Sequence, residues 1–375
     1  MSLARDIADL ASVTTRLDTV GASSGALSNR NLIINGAMQV AQRGTSASVS
    51  DSSNEGYQTL DRFALYFSNS AGGVATVSQD TTVPSGYGFS NSYKVDVTTA
   101  DTSISSTHMI YINHLIEAQN IRNSGWDYTN SSSYITMSFW ARSVKAGTYN
   151  VVFRATDVGA KYYPVEYTLE ADTWKKITVT VSGDSSLVFN NDNGAGLDIR
   201  WNLQVGTDRD NGTANQWNAT NTENAGTSNQ VNFFDSTSND FYLTGVQLEV
   251  GDTATDFEHR TFDDELEKCR RYFFKYSTNG DAMGAGIWYA NNQVLGYHKF
   301  PKRMRAAPTM SNSGAGCISC YTSGSSILQG GGAVHDNIFL DSCRWNFTTA
   351  SNGTAGDGTM MQLPSGTFIQ ADAEL

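Results

Sequence analysis

The sequence predicts an all-β protein, a sandwich or jelly roll followed by a smaller β domain, on three observations. Glycine is abundant (34 residues), proline scarce (5) and only 17% of residues are charged, the usage of a chain built from strands and turns. Short strand-like runs recur, divided by clusters of Gly, Asn, Asp and Ser, which is the spacing of sandwiches and not of parallel α/β folds. Between Tyr242 and Val250, the residues Val246, Leu248 and Val250 alternate with Gln247 and Glu249, the period-two pattern of a strand with one buried face.

At 375 residues the chain is long enough for two cores. We divide it into an N-terminal helix and tether (residues 1–28), a first β domain (29–260), a linker helix (261–278) and a C-terminal β domain (279–375). The net charge of −12 opposes a nucleic-acid role, since phosphates call for clustered Lys and Arg, and the one basic cluster, Lys299 to Arg305, is short. No apolar run approaches the ~20 residues of a spanning helix, and the opening MSLARDIADL is acidic where a signal peptide has an apolar core. A soluble protein not exported by the ordinary route is expected, without membrane insertion. Cysteines stand at 269, 317, 320 and 343. Cys317 and Cys320 form a C-x-x-C, but a zinc site would want a second pair, so buried thiols are expected and neither a metal nor a cofactor.

Taken in order, Leu3, Ile7, Leu10, Thr14 and Leu17 follow the alternating spacing of a coiled-coil seam. A helix so short is marginal alone. It is either an oligomerisation or docking helix or an amphipathic helix folded onto its own domain, and Gly21-Ala22-Ser23-Ser24-Gly25 after it makes a flexible tether. That tether also spells G-x-S-x-G, but a nucleophile elbow needs a strand before the serine. Strands are predicted at 74–79, 93–97, 135–142, 149–155, 177–181 and 197–205, and a polar surface loop at 207–230. After Thr261, the residues Leu266, Cys269, Tyr272, Phe273 and Tyr276 recur at helical spacing and predict a helix over 263–276. Strands follow at 286–290 and 294–300, with short apolar runs at 338–340 and 345–347.

Several stretches resemble one family. Asn31-Leu32-Ile33-Ile34-Asn35-Gly36, the later Tyr57-Gln58-Thr59-Leu60-Asp61-Arg62-Phe63, the segment 134–149, and Thr244 to Glu258 with the continuation Asp263 to Phe273 resemble the jelly-roll domains of bacteriophage tail fibres and related virion proteins. Pro301 to Thr309 and Ala371 to Leu375 resemble the C-terminal domains of the same proteins. Such jelly rolls are similar to carbohydrate-binding modules of the galactose-binding-like type, some of which hold calcium near an acidic residue after Asn-Gly; Ala37, Met38 and Gln39 stand there in this chain. The resemblance implies a homo-oligomeric, trimeric fibre of the virion. Its N-terminus, through Leu3, Ile7, Leu10 and Leu17, would dock to the phage tail or a tail adaptor protein, and its β domains would adhere to a host cell-surface glycan. A head fibre decorating the capsid, or a polysaccharide-degrading tailspike, are the alternatives.

No metalloprotease, P-loop, dinucleotide or zinc pattern occurs, the five His are scattered, and nearly every Asp sits in a turn-like setting, so no enzyme site is expected. Asp208-Arg209-Asp210-Asn211-Gly212 lacks the bidentate Glu of a complete calcium loop. The aromatic pattern is more informative. Ile135, Met137, Phe139 and Ala141 form one apolar face, which leaves Tyr134, Trp140 and Arg142 on the other as candidate sugar contacts; packing under a loop or against another subunit is the alternative. Trp201 shares its face with Leu197, Ile199, Leu203 and Val205 and belongs to the core, while Trp126 and Trp217 lie in polar loops and want a partner. In the last domain Trp288, Tyr289, Tyr297 and Trp345 are candidate receptor contacts at a distal tip, with core packing as the alternative.

Overall fold

The computed structural model describes residues 30–51, 55–157, 159–278, 280, 282–322, 325–331, 335–351 and 353–375. The predicted N-terminal helix with Leu3, Ile7, Leu10 and Leu17 lies outside the described residues. The chain divides into one unit ending at Phe262 and a second spanning Asp263–Leu375. Among the described residues no helix is long and apolar enough to cross a membrane.

In the first unit the strands are β1 (Ser46–Val49), β2 (Ala64–Ser68), β3 (Val74–Asp80), β4 (Ser92–Thr99) and β5 (Met109–Glu117), then the short helix α1 (Ala118–Arg122), then β6 (Tyr134–Ser143), β7 (Gly147–Ala155), β8 (Lys161–Leu169), β9 (Lys175–Ser182), β10 (Ala195–Val205) and β11 (Asp240–Val250). They form a six-stranded sheet, β1-β3-β4-β11-β6-β9, and a five-stranded sheet, β2-β5-β10-β7-β8, with antiparallel pairing throughout. The chain passes repeatedly from one sheet to the other, as a jelly roll does. The predicted strands are present and longer by a few residues, while β1, β2, β5 and β8 join them.

The core follows from alternation. Ile135, Met137, Phe139 and Ala141 point inward from β6 and are fully buried, as are Leu197, Ile199, Trp201 and Leu203 from β10. Phe139 meets Trp201 edge-on, with ring centroids 5.9 Å apart. On β11 the phase changes partway: Phe241 and Leu243 are buried, and so are Val246 and Leu248. A β-bulge between Thr244 and Gln247 allows this, because Gly245 takes a φ of 61° and absorbs one residue, so both halves of the strand turn an apolar face inward.

The Asn31–Gly36 motif is fastened to that bulge. Asn31 Oδ1 accepts from the Leu248 amide at 3.0 Å, Asn31 Nδ2 donates to the Val246 carbonyl at 3.2 Å, and the Val246 amide donates to the Gly36 carbonyl at 3.0 Å. A Cβ at residue 36 would sit 2.1 Å from the Val246 oxygen, so only glycine fits. The two stretches that opened and closed the family resemblance are thus one hydrogen-bonded unit.

The helix α2 (Phe262–Cys269) is shorter than the 263–276 predicted. The chain leaves it after Cys269, and Phe273–Tyr276 form the strand β12. Helical spacing misled here because Phe273 and Phe274 are both buried, one on each side of a strand covered on two faces, and such a run carries no period-two signal.

In the second unit follow β13 (Ala282–Ala290), β14 (Gln293–Lys299), β15 (Thr309–Asn312), β16 (Ser319–Thr322), β17 (Ser325–Gly331), β18 (His335–Asp336), β19 (Ser342–Thr349), β20 (Gly358–Gln362) and β21 (Ile369–Asp372). One sheet has the order β12-β21-β15. The other runs β14-β13-β20-β16-β17-β19, and β19 pairs back onto β14, so six strands close into a barrel with β18 beside β19. Closure removes the free edges. Met283, Trp288, Val294, Cys320, Trp345, Phe347 and Met361 fill the interior.

Candidate functional site

Strand β6 carries Tyr134, Trp140 and Arg142 on the outer face of the six-stranded sheet, but the three do not converge. Tyr134 is the first residue of the strand, ~20 Å from Trp140 at the ordinary rise per residue. Between them Thr136 and Ser138 are buried, with Gln247 and Glu249 of β11 buried beside them. The segment after β11 covers this half of the face. Thr255 donates to Glu249 through both its amide (2.8 Å) and its hydroxyl (2.7 Å), and the Glu258 amide donates to Gln247 Oε1 at 2.7 Å.

Trp140 and Arg142 lie beyond that cover. Tyr87, from the loop between β3 and β4, is 53% exposed and leans on Trp140 with ring centroids 4.3 Å apart and planes at 47°. The loop is held by its own apolar foot. Phe89 packs edge-on against Phe257 (5.0 Å), and His259 Nε2 donates to the Tyr87 carbonyl at 3.1 Å. The two rings therefore form an open wedge, one ring on strand β6 and the other on a loop held by its own packing and hydrogen bond.

Polar groups flank the wedge. Arg142 donates through Nη2 to Asp172 Oδ1 at 2.9 Å and through Nε to the Asp172 carbonyl at 3.1 Å, while its guanidinium lies 5.1 Å from the Tyr242 ring centroid. Tyr242 is the register partner of both Arg142 and Lys94, and Lys94 Nζ lies 5.7 Å from the centre of that ring and pairs with Asp240 at 3.1 Å. Burial lowers the Lys94 ammonium, but the bond and charge of Asp240 outweigh it and hold Lys94 above its ordinary range. Trp174 completes the strip, 6.1 Å from Tyr242. On the opposite side of Trp140 its register partner is Lys176, which lines a cleft of about 470 Å³ between the edge strands β8 and β9 together with Glu166, Thr168 and Lys175. Sequence reasoning found Trp140 and Arg142. It missed Tyr87, Trp174 and the Lys94–Asp240 pair, because loop closure and cross-strand register bring them there.

The remaining loop tryptophans find partners within the unit. Trp126 is buried and donates to the Ser133 carbonyl, and Trp217 Nε1 donates to the Ser182 carbonyl at 2.8 Å while packing on Tyr163. Among the described residues no group of three His, Cys, Asp or Glu side chains converges as a metal site.

In the barrel, Trp288 and Trp345 are fully buried, which removes both as contact surfaces. Trp345 donates to the Met283 carbonyl at 3.2 Å and lies between two imidazoles, His335 at 4.5 Å and His298 at 5.4 Å. Tyr289, next to Trp288 on β13, and Tyr297, opposite Arg344 in the β14–β19 ladder, face outward, 64% and 70% exposed. Of the four candidates in this unit, only the tyrosines are exposed.

No known protein family matches the sequence, and no curated protein does. Among solved structures, the chain is similar to the enzymatically active domain of tailspike protein 4 of bacteriophage CBA120, at 12% identity and a TM-score of 0.31, over 59% of this chain and 21% of that one, so it spans about a fifth of the tailspike's length. A putative sugar binding protein from Bacteroides thetaiotaomicron is similar over 58% of this chain and 99% of its own, at 15% identity and a TM-score of 0.31. A family 11 carbohydrate-binding module from Clostridium thermocellum, solved with a mixed-linked tetrasaccharide, is similar over 56% of this chain and 98% of its own, at 12% identity and a TM-score of 0.27.

Proposed function

We propose that this chain is a non-catalytic adhesion protein of a bacteriophage tail fibre, fixed to the virion by its N-terminal segment as a homotrimer and holding a host cell-surface glycan through its β domains. The observation that carries the binding part is the Tyr87–Trp140 wedge, an open pair of rings beside the Arg142–Asp172 pair. Sugars offer C–H faces that pack on aromatic rings and hydroxyls that bond to paired charges, and both are supplied here around Trp140 and Arg142 of β6. The family resemblance of the two fastened stretches, Asn31–Gly36 and Thr244–Glu258, supports the virion part.

A glycan array probed with the full-length chain and with Trp140→Ala tests the binding. Retention of a defined glycan that falls at least tenfold in the variant is expected, about 1.4 kcal/mol or more. Equal retention by both proteins would remove the wedge as the site, and release of fragments from a bound glycan would remove the non-catalytic reading. Electron microscopy of virions carrying a labelled chain distinguishes tail from head attachment.

A further inference from the structure

We infer that the outer face of the barrel is a self-association surface, on which copies of this chain pack side by side in a ring of three through an apolar band from Tyr297 to Tyr321. It goes beyond the adhesion reading, which gives the N-terminal segment no help in holding the copies together, and it uses none of the residues around Trp140.

Exposed apolar side chains are unevenly shared. Of the ten large ones among the described residues, seven belong to the second unit, although it is the smaller of the two. Five of those seven stand on four adjacent strands of the barrel: Tyr297 on β14, Ile287 and Tyr289 on β13, Met360 on β20 and Tyr321 on β16. Register joins them. Met360 is paired with Tyr321 on one side and Ala285 on the other, and one residue beyond the Gly286–Gly296 pair Ala285 lies beside Tyr297. The inward positions of the same strands, Trp288, Val294, Cys320 and Met361, already fill the interior, so the core does not need this band. Among the described residues no charged side chain stands within it. Charge begins at its margin with Arg344, the register partner of Tyr297, which donates to both carboxylate oxygens of Asp336 at 2.6 Å.

Area and curvature identify the occupant. At ~200 Å² for a large side chain, these five with Ala285 and Leu295 beside them offer on the order of 600 Å² per copy, close to the ~800 Å² per partner of a standard interface. A neutral apolar strip meets an identical strip without desolvating any charge, whereas a sugar finds few hydrogen-bonding groups on it. The band follows the wall of a closed barrel across four of its six strands, so its two ends look in different directions and a single flat partner covers only one of them. Two neighbours cover both. The Tyr297 and Tyr289 end of one copy then meets the Met360 and Tyr321 end of the next, a heterologous contact that closes as a ring.

The test is sedimentation equilibrium on the full-length chain, in a background where Leu3, Ile7, Leu10 and Leu17 are all changed to Ser so that the N-terminal seam contributes nothing. A reversible trimer is expected in that background, and adding Tyr297→Lys or Met360→Lys should weaken it about tenfold or more. Both side chains are exposed, so the lysines leave the fold in place, and circular dichroism checks this. A monomer or a dimer in the Ser background, beside a trimer of the unaltered chain, overturns the inference and leaves the adhesion reading intact. A trimer that neither lysine weakens also overturns it, and loss of host-cell binding by those same intact trimers would assign the face to a receptor. A monomer of the unaltered chain removes both the inference and the trimeric part of the adhesion reading.

Discussion

Tyr87 and Trp140 meet across a loop and a strand with ring centroids 4.3 Å apart, and only the tyrosine is largely open to solvent. An exposed ring contributes little to the core, so Tyr87→Ala is expected to change stability by less than about 1 kcal/mol. Glycan affinity should nevertheless fall about tenfold as half of the wedge is removed. Denaturant midpoints beside isothermal titration with the glycan found on the array separate the two effects. A large midpoint shift with unaltered affinity would show that Tyr87 packs and does not bind.

Gly245 sets the position of that wedge from beneath. At a φ of 61° an alanine Cβ would be strained, and it would lie 2.6 Å from Phe89 Cζ and 3.0 Å from Trp140 Cδ1. Gly245→Ala should cost roughly 2–4 kcal/mol, the left-handed penalty plus displacement of two rings, and it should weaken the glycan as well. Gly86, with a φ of 84° and nothing within 4 Å of where an alanine Cβ would stand, is the control, with a cost of about 1 kcal/mol. Equal losses in the two variants, measured by urea denaturation, would remove the steric part of the argument.

What the sequence made legible was alternation, and what it hid was register. Ile135, Met137, Phe139 and Ala141 against Trp140 and Arg142 could be read from spacing alone, because β6 has one wet face beyond its covered half. Strand β5 gave no such signal, since every one of its residues is buried and its sequence MIYINHLIE has no wet face to mark. In the barrel, large aromatic side chains drew attention to Trp288 and Trp345, but size does not reveal phase. These two point inward, and the smaller neighbours Tyr289, Arg344 and Asn346 face outward. The Arg344–Asp336 pair depends on strand pairing across a turn, which no local pattern records.

The buried thiols make a third expectation. All four cysteines are buried, and burial pushes three of the thiols up, to about 11 for Cys317 and about 12 for Cys320 and Cys343. Since the thiolate is the reactive form, a thiol reagent at pH 8 should label the native chain slowly and all four cysteines rapidly once urea unfolds it. Fast native labelling of Cys317 or Cys320 would show that the barrel opens there, and mass spectrometry of the labelled peptides identifies the site.

Acid should loosen the barrel before it affects the Asp336 pair. Burial, with a further contribution from the nearby His298, lowers the His335 imidazole from 6.5 to about 4, and burial lowers His298 as well. The folded state therefore binds fewer protons than the unfolded state between about pH 6.5 and 4, so stability is full above that window and declines as pH falls through it. Asp336 acts in the opposite range: its depressed carboxyl contributes stability that is lost only as pH drops below the usual carboxylate values. With His335 only half-buried, the histidine contribution is on the order of 2 kcal/mol. Hydrogen exchange of the β14 and β19 amides, corrected for the intrinsic pH dependence, should show protection falling from pH 7 to pH 4.5. His335→Gln should flatten that slope, because it removes the proton-binding group while keeping a polar side chain between β18 and Trp345. A slope unchanged in the variant would place the acid sensitivity elsewhere in the unit.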